Sequence, residues 1–135
     1  MDVDALADRL RRTLRDDPSA PRAAWLFGSL ARGEGHADSD ADVAVLFGEP
    51  PPATLCGGGL ALEGRLESSM AMSIDLIVLD DAPVDLIHRV LRDGQLLYDD
   101  DPSLRVRFEI RSRNAYFDLL PYLREYRGTA GGRAP

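Results

Sequence analysis

Val3, Leu6, Leu10 and Leu14 recur at spacings of three and four, which predicts an amphipathic helix over residues 3–14. Asp2 is placed to cap it, and Asp17-Pro18 with Pro21 stop it. The period then changes. Ala23 to Phe27 is a short apolar run ended by Gly28, the form of a buried strand. Gly33, Gly35, His36 and Asp38 mark a polar loop, and residues 41–47 form a second strand closed by Gly48 and prolines 50–52. Gly57-Gly58-Gly59 interrupts the next stretch, but Leu62, Leu66 and Met70 share a helical stripe, which places a helix at about 60–71. Ile74 to Leu79 reads as a third strand. Asp81 and Pro83 form the cap and first turn of a helix carrying Leu86, Ile87, Val90 and Leu91, ended by Gly94. Gln95 to Tyr98 is a short strand, and from Pro102 a longer helix passes Leu104, Phe108, Ile110 and Leu119 and is kinked by Pro121.

The order α-β-β-α-β-α-β-α predicts a single small α/β (α+β) domain over residues 1–127. Its mixed sheet has three to four strands flanked by helices, and residues 128–135 form a frayed, flexible tail. There is no repeat and no linker between two cores. The chain of 135 residues is 44% apolar and 29% charged, enough apolar material for a core. With 23 acidic against 16 basic residues the net charge is −7, the wrong sign for gripping nucleic acid through its phosphates. Every basic residue is arginine, so a lysine Schiff base and the phosphate-binding lysine of a P-loop are both excluded. Cys56 stands alone and allows neither an internal disulfide nor a cysteine-built zinc site. An acidic start and the lack of a long uncharged apolar run lead to the expectation of a soluble, cytoplasmic protein without membrane contact.

Against this ordinary background three aspartates stand out. Asp40 and Asp42 are two apart, so on a strand they point to one face while Ala41, Val43 and Val45 point to the other. Asp75 interrupts Ile74 to Leu79, the most apolar segment of the chain. An isolated Asp-x-Asp can be no more than the polar turn before a strand, but Asp75 has no turn to serve. A carboxylate in a core is costly unless it is neutralised, paired or bound to a cation. Hard oxygen ligands with no cysteine or histidine pairs nearby favour Mg²⁺ over zinc. Before them, Gly28-Ser29 ends a strand where a helix opens, offering backbone N–H groups and a hydroxyl to an anion. Arg32 follows one turn later, placed to clamp phosphate or to pair with a neighbouring carboxylate. A phosphate-binding turn beside three carboxylates describes a phosphoryl- or nucleotidyl-transfer site.

Gly28-Ser29, ten residues, then Asp40-x-Asp42 resembles the signature of the nucleotidyltransferase superfamily that includes DNA polymerase beta. The fuller string Gly28-Ser29-Leu30-Ala31-Arg32-Gly33 with Ser39-Asp40-Ala41-Asp42 resembles its small bacterial branch, the minimal nucleotidyltransferases or MntA-type antitoxins. Asp75 matches the third catalytic carboxylate, and the similarity extends through Tyr98 into the C-terminal helix. The resemblance implies that Asp40, Asp42 and Asp75 hold two Mg²⁺ ions, with Asp75 also drawing a proton from the attacking group. It implies that Gly28, Ser29 and Arg32 bind the phosphates of ATP. Minimal nucleotidyltransferases typically accompany a HEPN-family ribonuclease toxin, so the implied role is antitoxin: AMP passes from ATP to a tyrosine of the toxin, within a hetero-oligomer. The alternatives are a small-molecule nucleotidyltransferase of the aminoglycoside-modifying kind and an antitoxin that binds without chemistry.

Other residues receive plainer roles. His36 is a solvated loop residue and Trp25 is core. Asp80-Asp81 is a helix cap, and Asp99-Asp100-Asp101 is a solvated turn with a cap. Arg105, Arg107, Arg111 and Arg113 form the wet faces of the last helix, or recognise a partner. Phe108, Tyr116, Phe117, Tyr122 and Tyr126 serve core and interface rather than a nucleotide box.

Overall fold

The computed structural model describes residues 3–33, 40–48 and 55–133, with side chains described outside 55–60 and 123–133. The elements in order are α1 (Val3–Asp16), β1 (Ala23–Phe27), α2 (Gly28–Ala31), β2 (Ala41–Leu46), α3 (Leu55–Met70), β3 (Ile74–Val78), α4 (Val84–Asp93), β4 (Gln95–Asp99) and α5 (Pro102–Arg133). The strands form one mixed sheet in the order β3-β2-β1-β4. β1 is antiparallel to β2 and to β4, while β2 and β3 run parallel.

Strand alternation divides the core into two layers. Ala24, Leu26, Val43, Val45 and Ile74 pack with Leu6, Leu10, Leu14, Leu62, Leu66 and Met70, so α1 and α3 cover one face. Ala23, Trp25, Ala44 and Leu46 pack with Ile87, Val90 and Phe108, so α4 and α5 cover the other. Trp25 is core, as its place in an apolar run predicts. The expected α/β (α+β) domain with a sheet of three to four strands is what the chain forms, with four.

Several boundaries differ from expectation for physical reasons. α3 starts at Leu55 and runs through the three glycines, because packing of Leu62, Leu66 and Met70 outweighs their low helix propensity. α5 is helical through Arg133, past Gly128, and Pro121 lies inside it. A 3-10 turn at Leu79–Asp81 follows β3, and α4 is entered through Pro83 without a side-chain cap, so Asp80 and Asp81 do not cap it. Asp80 instead accepts hydrogen bonds from the backbone N–H groups of Phe47 and Gly48, at 3.0 and 2.7 Å, and ties down the end of β2. Asp101 does cap α5, accepting from Leu104 N at 3.2 Å. Arg105 is not a wet-face residue: it is half-buried and pairs with Asp99 at 2.5 Å and with Glu109. Asp2, His36 and Ser39 lie outside the described residues, as do the side chains of Cys56 and Tyr126.

Both outer edges of the sheet are closed by helix side chains. Glu67 and Glu63 of α3 accept from the N–H groups of Ile74 and Leu76 on β3, at 3.1 and 3.0 Å. On β4, Arg11 of α1 donates to the Leu97 carbonyl. Backbone groups that would otherwise template another strand are thereby occupied.

Asp17, at the end of α1, is the buried polar anchor of the α1/α3 layer. Burial raises its pKa, but hydrogen bonds from Arg65 and Ser19 outweigh burial and bring it down to about 2. A folded-state value below that of the unfolded chain stabilises the protein above about pH 4 and is lost as pH falls through 2. Asp17→Asn should therefore cost about 2 kcal/mol at neutral pH and almost nothing near pH 2. Urea denaturation at the two pH values checks this, and an equal loss at both would refute it.

Candidate active site

The site is built where β1 ends and β2 and β3 begin. The register aligns Phe27 of β1 with Asp42 of β2, and Asp42 with Asp75 of β3. Asp42 and Asp75 thus sit side by side on the sheet face that α4 and α5 cover elsewhere, with Asp40 two residues earlier on the same side. Phe27 is immediately followed by Gly28, the first residue of α2. The turn and the carboxylates predicted from separate stretches of sequence therefore meet in space.

Gly28 is required twice over. Its φ of +77° is a conformation that side chains disfavour. A Cβ there would lie 2.1 Å from the Asp42 carboxylate oxygen Oδ2. The turn backbone is held against the carboxylate at a distance only hydrogen permits. Ser29 and Leu30 continue into α2, which ends as Arg32 N–H donates to the carbonyls of Gly28 and Ser29 at 3.3 and 3.2 Å. The half-buried Ser29 lies in the first turn, and the exposed Arg32 at the C-cap.

The three aspartates are not equally buried. Asp42 is half-buried, whereas Asp40 and Asp75 are exposed. The expectation of a carboxylate sunk in the core at 75 is corrected: β3 is an edge strand, and Asp75 is exposed while its neighbour Ile74 is buried. The electrostatic strain falls on Asp42. Burial, the charges of Asp75 and Asp40, and a hydrogen-bond contact with the Asp75 carboxyl all push its pKa up, and Arg32 opposes them. Among the described residues no three acidic, histidine or cysteine side chains converge as a preformed ion cage. The donor set nevertheless fits Mg²⁺, which is held by one or two carboxylates together with substrate phosphates.

Residues that the sequence did not single out frame this end of the molecule. Arg32 lies within electrostatic reach of both Asp42 and Asp93. Asp93 closes α4, pairs with Arg92 at 2.9 Å and is held below the usual carboxylate range. Gly94 then brings the chain against the end of β1, where an added Cβ would sit 3.4 Å from the Leu26 carbonyl. On α4, His88 stacks flat on Tyr116 of α5 with ring centroids 3.7 Å apart, joining the two helices. No spacing in the sequence signals the proximity of Asp93 to Arg32, because the two are distant in the chain.

The raised pKa of Asp42 has a defined consequence. A folded-state value above that of the unfolded chain stabilises at low pH and costs stability as pH rises through it. Asp42→Asn should therefore raise the melting temperature of the nucleotide-free protein at pH 7 to 8, and the gain should vanish below the ordinary carboxylate range. A lower melting temperature at pH 8 would contradict this. Gly28→Ala compared with Gly33→Ala isolates the close approach. Both glycines have positive φ, but a Cβ at Gly33 meets nothing within 4 Å. Each should lose about 1–2 kcal/mol for the backbone conformation, and Gly28→Ala should lose clearly more. Equal losses in urea denaturation would show that Asp42 yields without cost.

No curated protein sequence matches this chain. Solved structures do. The complex described as a toxin–antitoxin with AMP-PNP contains a chain of TM-score 0.71 at 24% identity, over 91% of this chain and 93% of that one. A MntA–HepT toxin–antitoxin structure gives 0.63 at 21%, over 91% and 97%. The tri-AMPylated HEPN toxin of Shewanella oneidensis in complex with MNT antitoxin gives 0.63 at 21%, over 93% and 98%. At these identities the likeness concerns the fold. Residues 8–103, which hold all six of the site residues above, match the family described as Polymerase beta, Nucleotidyltransferase, and the chain belongs to that family.

Proposed function

We propose that this chain is a Mg²⁺-dependent protein adenylyltransferase that acts as an antitoxin, moving AMP from ATP to a tyrosine of a cognate HEPN-family toxin. The observation that carries the reading is the contact of the Gly28 turn with Asp42, itself in register with Asp75. An anion-binding turn against paired carboxylates is the arrangement nucleotidyl transfer needs. The structures whose fold this chain shares include an antitoxin beside a tri-AMPylated toxin and a complex with an ATP analogue, which supports ATP as donor and a HEPN toxin as acceptor. A module that only binds has no need of Asp40, Asp42 and Asp75 gathered at one strand end, since their mutual repulsion destabilises the empty protein.

Each residue has a role in this scheme. The backbone N–H groups at Gly28 and Ser29 and the Ser29 hydroxyl hold the β- and γ-phosphates, and Arg32 balances their charge. Asp40, Asp42 and Asp75 would hold Mg²⁺, which supplies neutralisation of the triphosphate and a lower pKa for the attacking hydroxyl. Asp75, exposed at the edge strand, accepts the proton of the acceptor hydroxyl. The acceptor oxygen attacks the α-phosphate in line as pyrophosphate leaves.

ATP with Mg²⁺ should raise the melting temperature of the wild type, and Asp40→Asn with Asp42→Asn should abolish that rise. An unchanged rise would rule out the site. Asp75→Asn should remain folded and bind ATP, yet transfer AMP roughly 10²–10⁴-fold more slowly. Mass spectrometry of the toxin incubated with ATP and Mg²⁺ reads the transfer. An unmodified toxin with active wild-type protein would overturn the protein-acceptor reading.

A further inference from the structure

α5 has two faces that should differ in polarity and do not. Its inner line, with Phe108 and Ser112, is buried. Its opposite, outward line is Val106, Ile110, Arg113 and Phe117, at spacings of four, three and four. Val106 is 42% exposed, Ile110 50% and Phe117 56%. Of the five large apolar side chains exposed among the described residues, four belong to α5. A shallow depression of about 500 Å³ lies beside the stripe, lined by Arg107, Ile110, Arg111, Asn114, Ala115 and Asp118. The other surfaces offer less. Both sheet edges are closed by Glu63, Glu67 and Arg11, and the groove between α1 and α3 presents Arg9, Arg12, Thr13, Asp16, Arg65 and Ser68.

The stripe also leads to the chemistry. α5 starts beside the β4 residue Asp99, which pairs with Ala23, the end of β1 away from the carboxylates. It then runs along α4, where Tyr116 stacks on His88, five residues before that helix ends at Asp93 beside β1, and Phe117 packs edge-on to Tyr116. From Val106 to Phe117 the line covers about 16 Å at 1.5 Å per residue.

We infer that the Val106–Ile110–Phe117 line of α5 is the surface on which the acceptor protein docks, placing its hydroxyl at the nearby carboxylates. This rests on the protein-acceptor reading above and adds to it the surface and its chemistry. The partner presents an apolar patch rimmed by carboxylates, because Arg113 lies within the line, Arg107 and Arg111 lie beside it, and none is ion-paired among the described residues. The same arginines disfavour a second copy of this chain. A two-fold pairing of α5 with itself would bring like charges together across the interface.

Ile110→Asp with Phe117→Asp, in the full chain, tests the surface against the cognate HEPN toxin. The double variant should keep the wild-type melting temperature and its ATP–Mg²⁺ response, since neither residue is core or site. Its toxin affinity, by calorimetric titration, should fall at least about 30-fold, as for the loss of an anchoring residue. AMP transfer at limiting toxin should fall with it. Arg107→Glu with Arg113→Glu should weaken binding most at low salt. Undiminished affinity of the aspartate variant, with wild type binding and modifying the toxin, overturns the surface and leaves the activity standing. Wild type that neither binds nor modifies the toxin overturns both. A wild-type dimer in sedimentation that the aspartate variant dissolves would assign the stripe to a second copy and overturn the acceptor as occupant.

Discussion

The close approach of the Gly28 backbone to the Asp42 carboxylate is the constraint on which the rest of the site depends. It fixes the end of β1, starts α2 and holds the turn backbone against the carboxylate. Negative charge on the carboxylates and on a triphosphate would repel without a cation between them, and Arg32 alone offsets only part of this. The chain therefore keeps a cluster of like charges at its strand ends that costs it stability.

The two helical layers explain why such a cluster can exist. α1 and α3 seal one face of the sheet along its length, and α4 and α5 seal the other only from Ala44 inward. Asp42 sits where cover ends, partly desolvated but open to a ligand. Asp75, on the edge strand, is exposed and lies in register beside it. Other partly buried charges have opposite partners: Asp17 pairs with Arg65 and Ser19, and Arg105 with Asp99 and Glu109. The exception at the strand ends is what distinguishes a site from a structural ion pair.

The sheet edges and the outer face of α5 differ in what they offer another protein. Edges capped by Glu63, Glu67 and Arg11 keep other strands away, and an apolar line on α5 runs toward the catalytic end. The same helix that roofs the core through Phe108 offers its other side outward.

Much was legible in the chain alone because local periodicity is a strong signal. Leu6, Leu10 and Leu14 specify a buried helix face, and Asp40 and Asp42 share a strand face by the period of two. The glycine-serine turn with its downstream aspartates identified the chemistry, because those residue types at that spacing have few other uses. What sequence could not supply was depth and neighbourhood. Asp75, inside an apolar run, reads as a core residue, yet strand order places it on an exposed edge. Asp80 reads as a helix cap and instead ties down β2; Arg105 reads as solvated and is half-buried in a pair with Asp99. Asp93 comes within electrostatic reach of Arg32 only because α4 ends against β1. Each of these turns on contacts between residues far apart in the chain. Periodicity reports which way a side chain points along its own element, and only packing decides what stands opposite.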